Sequence, residues 1–437
     1  MRPTRRPEKR TRARRARWMP SAGVALLLLA SVSPTAPAGA QSLLVPMDRT
    51  QQNHLRAYGL TYWVLQQGRK AEWLLNYRSG SFLLPDQPDV RKAAALRGVS
   101  VTPIDAAQEG QIRAVIAESN MEAVVLEKAP KVAVYSPPNA TPWDDAVTMA
   151  LEYAEIPYVK IWDDEVLDGD LKQYEWIHLH HEDFTGQYSK FYLTYAGAPW
   201  LREEVARNQE VARAHGFPDV PSEKKAIARR LREYVEQGGF LFAMCSATET
   251  LDLALAAGPV DIAAAYSDGT PPDPDATAKM RWSQAMAFTG AQVQIAPAVS
   301  AFSDVDSHQV NTPWRKELGV YSLFNFSAKF DPVPTMLTQD HEAVLPDFYG
   351  LTTAFRLDRI KPGVIILAKE GDAAKYIHGD LGKGTFTFFG GHDPEDPEHQ
   401  IGDPPTDLSL HPNSAGYRLI LNNVLFPAAK KKKLKTQ

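Results

Sequence analysis

The chain has 437 residues, 44% hydrophobic and 23% charged, with one cysteine and a formal net charge of −4. This is the balance of a globular protein with a real core, long enough for two or three domains. It excludes a fibrous, disordered or many-span membrane protein, and one cysteine excludes an internal disulfide.

Residues 1–40 read as a secretory signal. Arg2, Arg5, Arg6, Arg10, Arg12, Arg14, Arg15 and Arg17 form a cationic stretch, an apolar run covers 22–30, and Ala38-Gly39-Ala40 precedes Gln41. The apolar run is about half of the ~20 residues that a bilayer span needs. Cleavage is therefore expected, giving a periplasmic or secreted chain without a stable membrane span, exported by the general or the twin-arginine route. Residues 1–40 carry nine of the 48 Lys/Arg and one of the 52 Asp/Glu, so the mature chain has 39 against 51, a net charge of −12. A nucleic-acid binder is basic on at least one face. The basic run here is Lys430 to Lys433 with Lys435, read as a solvated tail over 428–437. No nucleic-acid partner is expected.

Residues 41–128 read as a small α/β unit. A short strand at 43–47 precedes helical spacing over 54–67. Strands at 71–75 and 81–84 flank the turn Arg78-Ser79-Gly80, a helix follows at 89–96, and a strand at 99–104. From Lys131 strands and helices alternate. Strand 132–135 leads to a helix over 143–153, opened by Thr141-Pro142 as cap and first-turn proline. Strands at 158–162 and 174–180 precede a charged helix over 222–237, closed by Gly238-Gly239. A buried strand at 240–244, a helix at 248–256, strands at 364–367 and 385–389 and a closing helix at 417–424 complete the series. Such alternation predicts βαβ units and a parallel sheet over 129–427. It is interrupted at about 258–347 by a turn-rich insertion expected to cover one sheet edge.

Ligands of an open parallel sheet bind beyond the carboxyl ends of its strands. The residues there are Ser136 and Pro137, then His180 to Gly186, then Cys245 and Ser246, then His392, Asp393 and Glu395. A thiol on a strand-to-helix turn faces the positive end of the next helix, which favours the thiolate. The same position also suits a buried, inert cysteine. His392, with carboxylates after it, is the candidate base, since a thiol nucleophile needs an imidazole oriented by a carboxylate. His178 and His180 share one strand face and permit a zinc pair as a weaker alternative.

Residues 238–247, Gly-Gly-Phe-Leu-Phe-Ala-Met-Cys-Ser-Ala, resemble the nucleophile strand and elbow of class I glutamine amidotransferase-like domains. Residues 384–395 are similar to the late strand of that superfamily ending in His-Pro-Glu, with one extra residue between His392 and Pro394. The likeness spans about 130–257 and 360–427. It implies a flavodoxin-like parallel sheet with helices on both faces, and no cofactor. It also implies Cys245 as nucleophile, His392 as base and Glu395 as its orienting carboxylate. Substrate and oxyanion contacts would come from His180, His181, Glu182, Asp183, Gly186 and Ser246. The elbow lacks the glycines usual on either side of the cysteine.

The whole mature chain is also similar to exported bacterial proteins catalogued as asparagine synthetase B. Trp143-Asp144-Asp145-Ala146, His180 to Gly186, Met244 to Thr248 and His411-Pro412-Asn413-Ser414 carry that likeness. The chain has neither the cysteine at a mature amino terminus nor the Ser-Gly-Gly-x-Asp-Ser loop of the synthetase. The expected activity is thus thiol-dependent hydrolysis or transfer of an amide or related carbonyl, on a small-molecule or glycan ligand. The alternative is a non-catalytic carbohydrate or cell-envelope binder using Phe184, Tyr188, Phe191, Tyr192 and Tyr195. A metal-dependent hydrolase ranks third.

Overall fold

The computed structural model describes residues 41–138, 145–296, 301–307, 319–346, 352, 354–396 and 403–429. The signal expected at 1–40, the helix start expected at 141–144 and the lysine run from Lys430 fall outside the described residues. Among the described residues no helix is long and apolar enough to cross a membrane.

Five strands form a first, wholly antiparallel sheet: β1 (Ser42–Val45), β2 (Ala71–Leu75), β3 (Ser81–Pro85), β4 (Thr102–Ile104) and β5 (Glu122–Leu126), in the order β4-β1-β3-β2-β5. The strand expected at 99–104 is shortened to its last three residues. The helix His54–Gln66 starts where the Asn53 side chain accepts the Arg56 N–H at 2.9 Å.

The second sheet contains β6 (Val132–Tyr135), β7 (Tyr158–Ile161), β8 (Trp176–Leu179), β9 (Phe240–Met244), β10 (Val320–Leu323), β11 (Val344–Pro346), β12 (Phe355–Arg356), β13 (Ile365–Glu370), β14 (Ala373–Leu381) and β15 (Gly384–Phe389). Its order is β11-β10-β13-β14-β15-β9-β8-β6-β7, with β12 on β14. The stretch β7-β6-β8-β9-β15 is parallel throughout. The remaining pairs are antiparallel. The expected parallel sheet is therefore corrected to a mixed α/β sheet. The cause is local: β14 returns into β15 through Gly382-Lys383, and a two-residue turn can only join antiparallel neighbours. Gly382 has φ +63°, and a Cβ there would lie 2.6 Å from the Glu236 carbonyl oxygen. The insertion adds β10 and β11 to the antiparallel edge.

Strand side chains alternate faces, and both faces of β6, β8, β9 and β15 are buried, while the edge strand β7 exposes Val159 and Lys160. Val132, Val134, Trp176, Phe240, Phe242 and Met244 pack with the helices His54–Gln66, Ala146–Tyr153 and Ala415–Leu425. Ala133, Tyr135, Ile177, Leu179, Leu241 and Ala243 pack with Val220–Glu236 and Ser246–Ala257. Helices thus lie on both faces. The first sheet shares the former core, and fully buried Arg418 ties the two together by donating to the Met47 carbonyl at 2.7 Å and Tyr58 Oη at 3.1 Å.

Candidate functional site

The parallel register brings four strand ends to one rim. Val134 pairs with His178, Leu179 with Ala243 and Met244 with Phe389. One residue past β8 is His180, one past β9 is Cys245, and three past β15 is His392. The expected convergence of Cys245 and His392 on one sheet edge is what these pairings produce.

Cys245 is the only residue between β9 and the helix Ser246–Ala257, and the turn is that tight because its backbone sits at φ 52°, ψ −140°. That combination is nearly confined to glycine, and costs an L-residue about 1–3 kcal/mol. Cys245 is 2% exposed. The turn is fastened to the segment after β8. Ala247 N–H donates to the His180 carbonyl at 3.1 Å, Ser246 Oγ to the His181 carbonyl at 2.9 Å, and Thr250 Oγ1 to the Glu182 carbonyl at 2.8 Å. The Ser246 hydroxyl therefore positions the loop instead of facing a ligand.

The imidazoles of His180, His181 and His392 form a cluster. The His180 ring lies 4.5 Å from that of His392 and 5.0 Å from that of His181, centroid to centroid. Their ligand atoms all fall within 4.8 Å of one another. His180 is buried, His392 half-buried and His181 exposed, so the cluster opens to solvent on one side.

Asp145 holds His180 from below. Its side chain caps the helix Ala146–Tyr153, accepting Val147 N–H at 2.8 Å and Thr148 N–H at 3.1 Å on Oδ1. His180 Nδ1 lies 3.2 Å from the same oxygen, and His178 Nε2 3.3 Å. Burial alone would raise the Asp145 carboxyl, but the two imidazoles outweigh it and hold the group well below the usual carboxylate range. Burial lowers His180 despite Asp145, which favours a neutral ring donating Nδ1–H to the carboxylate. A second group, Asp145 with His178 and His180, also has ligand atoms within 4.8 Å of one another. Both nitrogens of fully buried His178 face acceptors, Nδ1 reaching the Phe242 carbonyl at 3.2 Å.

The other expected site residues take separate places. Asp183 accepts the N–H groups of Thr185 at 2.8 Å, Ser189 at 2.9 Å and Gln187 at 3.1 Å, so it shapes the loop from inside. Gly186 has φ +75°, and a Cβ would meet Pro221 Cα at 2.7 Å. Burial pushes the Glu182 carboxyl up to about 7, against the opposing charges of Lys224 and His181. Glu395 Oε2 sits 3.0 Å from His411 Nδ1. Asp393, 1% exposed, accepts Tyr417 Oη at 2.8 Å, Thr406 Oγ1 at 2.7 Å and the Glu395 N–H at 2.9 Å. Of the aromatic residues read as a sugar platform, Phe184 is fully buried and Tyr188 is 5% exposed. Phe191 and Tyr195 do group with Trp200, at centroid distances of 5.6–6.3 Å.

Asp145 was legible only as part of a likeness. Its sequence signal is that of a helix N-cap, an aspartate just before an apolar helix, and its contact with the histidines exists only because β6 pairs with β8.

No protein-family model matches the chain, and no curated protein matches it. Among solved structures it is similar to a cytoplasmic protein of Salmonella typhimurium, STM3548, at 10% identity, covering 69% of this chain and 100% of that one, with a TM-score of 0.34. It is also similar to a ThuA-like protein of Bacteroides uniformis at 12% identity, covering 68% and 90%, with a TM-score of 0.30. A GH42 β-galactosidase of G. stearothermophilus matches at 9% identity over 61% of this chain and 28% of its own, with a TM-score of 0.25. Likenesses this distant leave the functional reading to the geometry of the site.

Proposed function

We propose that this chain is an exported class I glutamine amidotransferase-like protein in which Cys245 attacks the carbonyl carbon of an amide or related group. One observation carries the reading: a cysteine, not a glycine, occupies the strained turn between β9 and its helix. Strain that a glycine would relieve is kept where the residue's side chain has work to do. The reading is supported by the strand order of the parallel stretch β7-β6-β8-β9-β15, which in chain order is 2-1-3-4-5, the order of flavodoxin-like sheets, whose switch point would fall between β6 and β8. Asp145 caps the helix after β6 and His180 follows β8, which supports a ligand site at that switch point for the imidazole cluster.

The chemistry follows in two halves. His392 takes the thiol proton as sulfur bonds to the carbonyl carbon. The tetrahedral intermediate then collapses, breaking the C–N bond, and the departing nitrogen takes the proton back, leaving a thioester. Water, deprotonated by the same imidazole, attacks the thioester, releasing the carboxylic acid and restoring the thiol. The amino end of the helix Ser246–Ala257 favours the thiolate through its aligned peptide dipoles.

The test is Cys245→Ala in an assay of ammonia release from small primary amides, with iodoacetamide labelling of the wild-type thiol against pH. Loss of turnover is expected, along with a labelling midpoint below the ordinary cysteine value of ~8.5. Turnover that survives the substitution would sink the proposal.

A further inference from the structure

We infer that His180, His181 and His392 form a binding site for one borderline divalent transition metal, of the zinc class, with Asp145 as the carboxylate that orients His180. This goes beyond the thiol reading, and the two compete for one group: an imidazole coordinated through its lone pair cannot accept the Cys245 proton. Metal occupancy is thus expected to silence the thiol.

Two independent observations point to the ion. The first is the cluster itself, three imidazoles with ligand atoms within 4.8 Å of one another. The second concerns His180 alone. Its Nδ1 faces Asp145 at 3.2 Å, while Nε2, on the opposite edge of a ring 2% exposed, has no hydrogen-bond partner among the described residues. A buried nitrogen left without a partner is costly unless something occupies the place it points to. The arrangement of carboxylate, then imidazole, then open nitrogen matches how proteins prepare a histidine for a metal. The carboxylate fixes the tautomer, aims the ring and raises its basicity.

Distances fit a tetrahedral ion after small movements. Zinc binds imidazole nitrogen at about 2.0–2.1 Å, so neighbouring ligand atoms around it stand about 3.4 Å apart. Closing from 4.8 Å or less requires shifts of about 1 Å, within reach of χ rotations at exposed His181 and half-buried His392. His180 stays fixed by Asp145. Three nitrogen ligands on a cluster open to solvent leave a fourth position for water or a ligand atom. An all-nitrogen set selects zinc, copper or nickel over magnesium or calcium, which prefer oxygen.

The neighbouring group of Asp145, His178 and His180 is not the site. Asp145 Oδ1 already accepts two backbone N–H groups, at 2.8 and 3.1 Å, and faces both imidazoles. His178 is held through its other nitrogen by the Phe242 carbonyl at 3.2 Å.

The experiment is competition for Zn2+ between the purified full chain and a chromophoric chelator, read on wild type, His181→Ala, His392→Ala, Asp145→Asn and Cys245→Ala, with circular dichroism confirming the fold of each. The expected result is one zinc per wild-type chain. Binding should be unchanged by Cys245→Ala, weakened about 10–100-fold by Asp145→Asn, and weakened further by either histidine variant. Exposed His181 is the safe substitution should Asp145→Asn fail to fold. The inference is overturned by a wild-type chain that takes up no zinc, by binding that survives both histidine variants, or by binding that requires Cys245. Because the readout is affinity on a chain with or without the thiol, it stands or falls apart from amide hydrolysis.

Discussion

The strain at Cys245 can be isolated by comparing two variants that both remove the sulfur. Cys245→Ala keeps a Cβ at φ 52°, ψ −140°, whereas Cys245→Gly does not. At an ordinary position glycine is worse than alanine by about 0.5–1 kcal/mol, because the unfolded chain gains freedom. At this position the alanine retains backbone strain of about 1–3 kcal/mol. Subtracting the first from the second makes Cys245→Gly the more stable variant by about 1 kcal/mol, a roughly fivefold change in the unfolding equilibrium. Urea denaturation followed by tryptophan fluorescence reads this as a shift in midpoint at equal slope. Neither variant should retain thiol chemistry. If the glycine variant is the less stable by the ordinary margin, the turn is not strained and the case for Cys245 as a nucleophile loses its footing.

Two further outcomes follow from the same packing. Glu249, 1% exposed in the first turn of the elbow helix, is pushed up to about 8 by burial and by Asp306, against the hydroxyls of Ser303 and Thr352. The folded chain therefore holds a proton that the unfolded chain releases near 4.5, so this contribution is lost as pH rises from about 4.5 to about 8, by on the order of 3–5 kcal/mol. Glu249→Gln should flatten that part of the stability–pH curve, and an unchanged slope in urea titrations between pH 5 and 8 would refute the assignment. Gly186→Ala forces a Cβ to 2.7 Å from Pro221 Cα at φ +75°, and a drop in melting temperature is expected. A neutral result would mean that the loop after β8 is free to shift.

The strands β6, β8 and β9 were legible because they are covered on both faces, which writes a continuous apolar run into the sequence. Elements that bury little left no such trace. The helix Ala106–Glu118 buries only Ile112 and Ile116, and Pro199–Ala214 only Leu201, Asn208 and Ala212. β14 hides for a different reason: Lys375 and His378 read as polar, yet both are buried, with His378 Nδ1 2.9 Å from Thr387 Oγ1 on β15. Missing that strand is what made the sheet read as parallel. At the site, Cys245, His180, His181 and His392 could be placed because each lies within three residues of a strand end. Glu395 is close to His392 in sequence but pairs with His411, because Asp393 accepts its N–H and turns the chain. Sequence proximity in a loop says little about where a side chain points.

The sulfur and the imidazoles are best regarded as one mechanical unit. The three bonds from Ala247, Ser246 and Thr250 to the carbonyls of His180, His181 and Glu182 join the elbow helix to the histidine segment at consecutive residues. Each contributes about 0.5–1.5 kcal/mol net, and more if its loss leaves a buried carbonyl without a donor. Together they are of the size needed to offset about 1–3 kcal/mol of strain at Cys245. The unfavourable turn is therefore held by the same contacts that fix the histidine backbone. Asp145 supplies the remaining constraint from the β6 side, so His180 is gripped at both its carbonyl and its ring. His181, exposed, and His392, half-buried, stand on the side of the cluster that opens to solvent, where proton transfer or metal capture would take place.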